Sequence, residues 1–355
     1  MEQGLNVKEI LSLIHKYAPK RRVKIMNVCG SHEHTVASSG MRSVLPDTVE
    51  LVPGPGCPVC VCSESDLINA IELSKRDDVI LVTYGDMLRV PTRVGSIREK
   101  GKNFKVISAP HEVLKVAKDN PDKKVVFFSV GFETTSAPTA GLLEMGVPKN
   151  LYILCSQKLT PAIMEVLVKD EEVGVDAFVA PGHVSTIVGA NAWRIFPEKY
   201  NIPTVVAGFT PENFLLAILR ILVQLKKGES KLENVYRGVV RDEGNKRAQH
   251  LINKFFKVAS VNWRGIGFVP NSGLELRDEY DHINARKVFD LPEVEEEKIP
   301  GCICDKVVLG KAYPSDCPLF GKSCTPLNPK GPCMVSVEGA CNIWFRQKPA
   351  KEKLW

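Results

Sequence analysis

The sequence predicts an α/β protein built from two parallel-sheet, Rossmann-like domains and a small cysteine-rich C-terminal domain. Three observations predict it. Short β-branched runs alternate with amphipathic segments through the first two-thirds of the 355 residues, as parallel strands joined by crossover helices require. Helix-start signals fall between those runs. From Pro292 onward the periodicity stops, and a charged run, Glu293–Lys298, leads into Pro, Gly and cysteine.

Taken in order, a solitary helix is expected at Val7–Tyr17, before any strand. Strands are expected at Val23–Val28, Val49–Val52, Val79–Thr83, Lys105–Ser108, Val125–Val130, Leu151–Leu154, Ala177–Ala180 and Thr204–Ala207. Ser63-Glu-Ser-Asp66 resembles a capping box ahead of Leu67, Ile68 and Ile71. Thr160-Pro161 and Thr210-Pro211 each pair a capping hydroxyl with proline at the first helical position. A division is expected near Pro138–Pro148, a linker at Lys226–Ser230, and a helix at Asn245–Phe256. The predicted domains are therefore 1–140, 141–235 and 236–355. A core in the last of them would be weak, so a bound metal centre is expected to supply its order.

Composition narrows the function. An apolar fraction of 44% with 25% charged residues is that of an ordinary globular chain,. Lys and Arg exceed Asp and Glu by 47 − 41 = 6, and no basic run is interleaved with aromatics, which argues against nucleic acid. The start of the sequence lacks a signal-peptide pattern, and the longest apolar stretch, Phe214–Leu225, is interrupted by Arg220 and Gln224. A reducing cytoplasm, with free thiols and no membrane association, is the expected location. No Gly-x-x-x-x-Gly-Lys-Ser/Thr loop occurs, so a P-loop nucleotidase is unsupported.

Five unusual loops follow directly on predicted strands: Cys29-Gly-Ser-His-Glu-His-Thr35, Pro53-Gly-Pro-Gly-Cys-Pro-Val-Cys60, Gly131-Phe-Glu-Thr-Thr135, Pro181-Gly-His-Val-Ser185 and Gly208-Phe-Thr210. All are expected on one sheet edge, where α/β proteins bind ligands.

Nine of the eleven cysteines fall into two groups. Cys57-Pro-Val-Cys60 leads into a helix, and Cys29 opens what is expected to be the neighbouring loop. Three thiolates there would form an open, soft site for iron, copper(I) or zinc. His32, Glu33 and His34 could add a ligand, a proton donor or orienting contacts, or His32 could cap the helix while His34 faces solvent. His183 carries the same alternatives. Cys62 and Cys155 have no partner at motif spacing, and Cys155 reads as a small buried residue. The second group, Cys317-x6-Cys324-x8-Cys333-x7-Cys341, offers four thiols, the complement of a [4Fe–4S] cluster. Its spacings are longer than the paired knuckles that tetrahedral zinc prefers. Cys302 and Cys304 add two more, able to exchange with these or to stand beside them as a dithiol.

Together, Cys29–Thr35, Gly54–Cys60, Gly131–Thr135, Pro181–Ser185 and Cys317–Cys341 closely resemble the HypD family of hydrogenase maturation factors. The resemblance spans nearly the whole chain. It implies two α/β domains plus an iron–sulfur domain, and a scaffold on which the Fe(CN)2CO unit of [NiFe] hydrogenases is built. It further implies iron held by Cys29, Cys57 and Cys60 and shared with a small HypC-type chaperone, a HypE-type cyanide donor, and a [4Fe–4S] cluster at Cys317, Cys324, Cys333 and Cys341 that supplies electrons. His32, Glu33, Glu133, Thr134 and His183 are then candidates for proton transfer or for hydrogen-bonding cyanide. Two alternatives remain: a cluster-dependent thiol–disulfide oxidoreductase exchanging at Cys57 and Cys60, and, more distantly, a zinc hydrolase.

Overall fold

The computed structural model describes residues 5–348. The outermost residues of the first and third predicted domains, 1–4 and 349–355, lie outside the described residues. Eleven strands are present among those described: β1 (Val23–Asn27), β2 (Val49–Pro53), β3 (Val79–Tyr84), β4 (Phe104–Ile107), β5 (Lys124–Gly131), β6 (Leu151–Lys158), β7 (Ala177–Pro181), β8 (Thr204–Ala207), β9 (Leu232–Asn234), β10 (Phe256–Trp263) and β11 (Gly267–Leu276). The first eight coincide with the predicted strands.

They form two sheets. The first, in the order β2-β1-β7-β8-β9, is parallel throughout. The second, β10-β11-β6-β5-β3-β4, is parallel from β6 to β4 and closes with the antiparallel hairpin β10–β11. The sheets interleave along the chain, so residue 140 does not separate them. β1 and β2 join β7–β9 from the second predicted segment, and β3–β5 pair onward to β6. The stretch 138–148 is not a division either, because Pro138 lies inside the helix Glu133–Glu144. Residues 226–230 end the helix Pro211–Lys227, with Gly228 in the left-handed conformation at φ 66°, where glycine carries no Cβ penalty.

Burial on both faces explains why the central strands read as unbroken apolar text. Helices Val7–Tyr17 and Pro211–Lys227 cover the outer face of the first sheet around Ile14, Ile25, Val179 and Phe214. Helices Glu112–Asp119, Glu133–Glu144 and Lys246–Phe255 cover the outer face of the second around Val125, Phe127 and Ile153. Between the sheets lies one shared core, holding Met26, Val52, Phe128, Leu154, Phe178 and Trp193.

Residues 299–348 have little regular structure beyond the helices Cys304–Val308 and Ala340–Gln347. They are nevertheless packed. Val307, Val308, Cys333, Met334, Val335 and Cys341 belong to the shared core, and Ile343 and Trp344 press on Ala37. The weak core expected here is thus replaced by burial against the sheets.

Candidate thiol and metal site

β1 and β2 run in register as far as Asn27 opposite Pro53, and their following loops stay together. The Gly54 N–H donates to the Asn27 carbonyl at 2.7 Å, and the Gly30 N–H to the Gly56 carbonyl at 3.2 Å. Any Cβ at Gly56 would collide with the Cys29 backbone, so glycine is what lets the two loops touch. Cys29 stands at the N-cap of the helix Gly30–Ser38. Cys57 caps the short helix Pro58–Val61, its Sγ accepting the Cys60 N–H at 3.3 Å. Cys57 and Cys60 are disulfide-bonded, with Cα atoms 5.3 Å apart.

The loops enclose a cavity of about 20 Å³ lined by Cys29, Cys57, Cys60, Cys333, Glu33 and Glu338. Burial pushes the Cys29 thiol up to about 11, and the nearby Glu338 carboxylate adds to the effect. The thiol is therefore protonated at neutral pH, and a cation binding there must displace its proton.

Around the cavity, polar groups are committed to holding the walls. Glu33 accepts from Asn27 Nδ2 (3.0 Å), Arg42 Nη2 (2.9 Å) and Trp344 Nε1 (2.7 Å), which ties β1, the loop before β2 and the C-terminal helix to one carboxylate. His32 is fully buried against Phe209 and Phe214. Its Nε2 faces the Ala207 and Gly208 carbonyls at 3.2 and 3.0 Å, and burial lowers its pKa to about 4, leaving it neutral,. The exposed His183 also stacks on Phe209, with centroids 3.8 Å apart. His34 is exposed, beside Gln347.

The five loops do not share one edge. Those of Cys29, Pro53–Cys60, His183 and Gly208 follow strands of the first sheet, but Gly131–Thr135 follows β5 of the second. Glu133 accepts the Thr160 N–H and hydroxyl, both at 2.8 Å, and burial raises its pKa to about 7. Thr160 therefore begins its helix by donating to Glu133, and Leu159 takes the cap position. Thr134 lines a separate cavity of about 790 Å³ with Tyr84, Asp86 and His111. Neither Glu133, His32 nor His183 lines the small thiol cavity.

The C-terminal thiols group differently from their spacing. Cys304 interacts through its side chain with Cys302, Cys333 and Cys341, and Cys333 with Cys341. The hydrogen bond with Cys304 draws the Cys302 thiol down to about 7. Gly331 makes the approach possible: a Cβ there would fall 2.5 Å from Cys304 Sγ and 2.8 Å from Cys302 Sγ. Cys317 instead points its thiol at the Gly301 carbonyl, at 3.9 Å, and Cys324 Sγ accepts the Lys330 N–H at 3.3 Å. Four mutually interacting thiols fit the donor chemistry of an iron–sulfur cluster, although among the described residues no three metal-binding side chains already stand at coordinating positions. Cys62 and Cys155 are both buried. Cys62 faces Ser156 Oγ at 3.5 Å, and Cys155 donates to the Leu274 carbonyl at 3.1 Å.

Glu338 and Arg264 were not legible as site residues. Glu338 packs on Gly30, yet sits in an aperiodic run far along the chain. Arg264 occupies a hairpin turn whose N–H donates to the Val61 carbonyl at 3.0 Å, and only the hairpin itself would have pointed to it.

The HypD family model, described as "Hydrogenase formation hypA family", matches residues 6–348. The chain belongs to the HypD family. A putative hydrogenase expression/formation protein of Methanocaldococcus jannaschii is 46% identical over 350 residues, covering 96% of this chain and 97% of its own. The hydrogenase maturation factor HypD of Azotobacter vinelandii is 42% identical over 349 residues, covering 94% and 92%, and that of Escherichia coli K12 is 37% identical over 339 residues, covering 94% and 91%. Family membership places the chain in hydrogenase maturation. Among the described residues no helix is long and apolar enough to cross a membrane.

Proposed function

We propose that this chain is a cytoplasmic scaffold on which iron acquires its diatomic ligands, held by the Cys29 thiolate together with a thiolate of a HypC-type partner. Cys57 and Cys60 act as further ligands or as a reducible pair, and a HypE-type protein donates cyanide. The observation that carries this reading is the single cavity shared by Cys29, Cys57 and Cys60. At about 20 Å³ it matches one atom-sized guest, since a water needs roughly 10–15 Å³ by this measure. Iron bearing two cyanides and a carbonyl is larger, so ligand attachment requires the cavity to open toward the partner. Soft thiolates suit such an iron.

A [4Fe–4S] cluster bound among the C-terminal thiols would supply single electrons to the neighbouring disulfide. The sulfur grouping favours Cys302, Cys304, Cys333 and Cys341 as its ligands over the set containing Cys317 and Cys324. Cys333 lines the Cys29 cavity, which supports a cluster beside the proposed iron site. Glu33 and Arg42 hold the wall, and His32, being neutral and engaged with carbonyls, positions the Cys29 helix rather than moving protons.

The test is anaerobic co-purification with the HypC-type partner, followed by iron and sulfide analysis and infrared spectroscopy. Cyanide and carbonyl stretches should appear in the wild type and vanish in Cys29→Ala. Their persistence in Cys29→Ala would overturn the role of Cys29. The disulfide at Cys57–Cys60 favours one second reading, a cluster-dependent thiol–disulfide oxidoreductase. It requires turnover of a protein disulfide without any iron-carrying partner.

A further inference from the structure

The Cys57–Cys60 disulfide meets a second, larger cavity that Cys29 does not line. This cavity, of about 350 Å³, is lined by Cys60 but not Cys57, by Cys302 and Cys304, and by Arg264, Glu296 and Asp305. That volume is within the range of small-molecule sites. Arg264 is 8% exposed. Its Nη2 donates to the Pro91 carbonyl at 2.7 Å, and its nearest carboxylate, Glu64, is 3.9 Å away, beyond hydrogen-bonding reach. The buried Nη1 has no partner among the described residues. A buried guanidinium N–H left unpaired is costly, which makes the position a ready receptor for an anion.

The rest of the wall has the opposite sign. Glu296 accepts the Glu64 and Gly265 N–H groups at 3.0 and 3.2 Å, leaving lone pairs for another donor. Among the described residues Asp305 has only the exposed Lys298, at 3.4 Å. A ligand satisfying both sides therefore carries both a carboxylate and an ammonium group. Ile266, Ile299, Val308 and Pro332 supply apolar contact for its stem.

We propose that this cavity binds a small zwitterionic thiol, of the cysteine or γ-glutamyl-cysteine class, which reduces the Cys57–Cys60 disulfide by exchange at Cys60. The ligand thiolate attacks Cys60 Sγ, the bond between the two protein sulfurs breaks, and Cys57 leaves as thiolate, stabilised by the Cys60 N–H that it already accepts at 3.3 Å. A second ligand thiolate then attacks the ligand sulfur of the mixed disulfide and releases the Cys60 thiolate. Two thiols lose two protons and two electrons to form one small disulfide, and Cys57 and Cys60 gain both. The site serves the pair while Cys302 and Cys304, which line it, are free of the proposed cluster.

The experiment measures anaerobic reduction of the pair in the full chain by alkylation and mass spectrometry, with thiols compared at equal thiolate concentration. L-cysteine should react at least roughly tenfold faster than β-mercaptoethanol, with 3-mercaptopropionate and cysteamine between them, a tenfold difference being about 1.4 kcal/mol. Arg264→Gln should bring L-cysteine and 3-mercaptopropionate down toward the β-mercaptoethanol rate, with that rate itself little changed. In Cys57→Ser, a mixed disulfide with cystine should form on Cys60. Equal wild-type rates for charged and uncharged thiols overturn the proposal even if Arg264→Gln fails to fold. So does an Arg264→Gln variant that slows every thiol alike.

Discussion

The corner around Cys29 and the thiol group near the C-terminus are assembled by opposite means. The first is set by backbone: two strands in register, a helix start and glycine contacts bring Cys29 to the Cys57–Cys60 loop, and Glu33 bolts three elements together. The second hangs on irregular chain whose only regular pieces are short helices, and its sulfurs meet because Gly331 gives them room. The difference teaches where each region gets its order. One can hold its geometry before any metal arrives, whereas the other relies on packing against the sheets and on whatever its thiols bind.

The contrast breaks first at Glu33. Glu33→Ala removes the carboxylate that Asn27, Arg42 and the Trp344 N–H share, and removal of one partner from a buried pair costs about 3–5 kcal/mol. Urea denaturation should show a loss of that order, and a loss below about 1 kcal/mol would mean the corner is not held by this residue. On the proposed function, stripping iron and sulfide should act on the other region. Hydrogen exchange in residues 299–348 should accelerate by roughly a hundredfold, equivalent to about 2.7 kcal/mol, while β1 and the helix Gly30–Ser38 keep their protection. Uniform acceleration would erase the distinction.

A smaller effect is expected from Gly56→Ala. The added methyl must push the Cys29 backbone aside, at about 1–3 kcal/mol for overpacking, and iron affinity should fall more than stability does. Glu133 gives the mildest test, and lies outside both regions. Folding raises its pKa to about 7, so its contribution is fully present below the unfolded value near 4.5 and is lost as pH climbs through 7. Stability should drop on the order of 1–2 kcal/mol between pH 5 and 8, and Glu133→Gln should flatten that slope without altering iron content.

Legibility followed the same divide. The eight parallel strands announced themselves because burial on two faces writes continuous apolar text. Caps at Ser63 and Thr210 accept the N–H groups of Asp66 and Asn213, as their spacing implied. β10 and β11 escaped because one face of each alternates with solvent and the turn between them, through Arg264 and Gly265, carries a weak signal. The adjacency of Cys29 to Cys57 and Cys60 was readable, since both loops leave neighbouring strands. The company kept by Cys304 was not. Cys317 and Cys324 stand at regular spacing with Cys333, yet in irregular chain sequence distance says little about spatial distance. Nor could spacing reveal that the sheets interleave, because each βαβ unit is locally alike whichever sheet receives it.

That interleaving has a consequence for synthesis. β1 lies between β2 and β7, so the first sheet stays half built until more than half of the chain has left the ribosome. The carbonyls that anchor His32, at residues 207 and 208, emerge later still, and Trp344, the indole that meets Glu33, comes almost last. Long-range closure of this kind is slow. The nascent chain thus carries Cys29, Cys57 and Cys60 for most of its elongation without the walls that confine them, and the enclosed thiol cavity is completed only near termination.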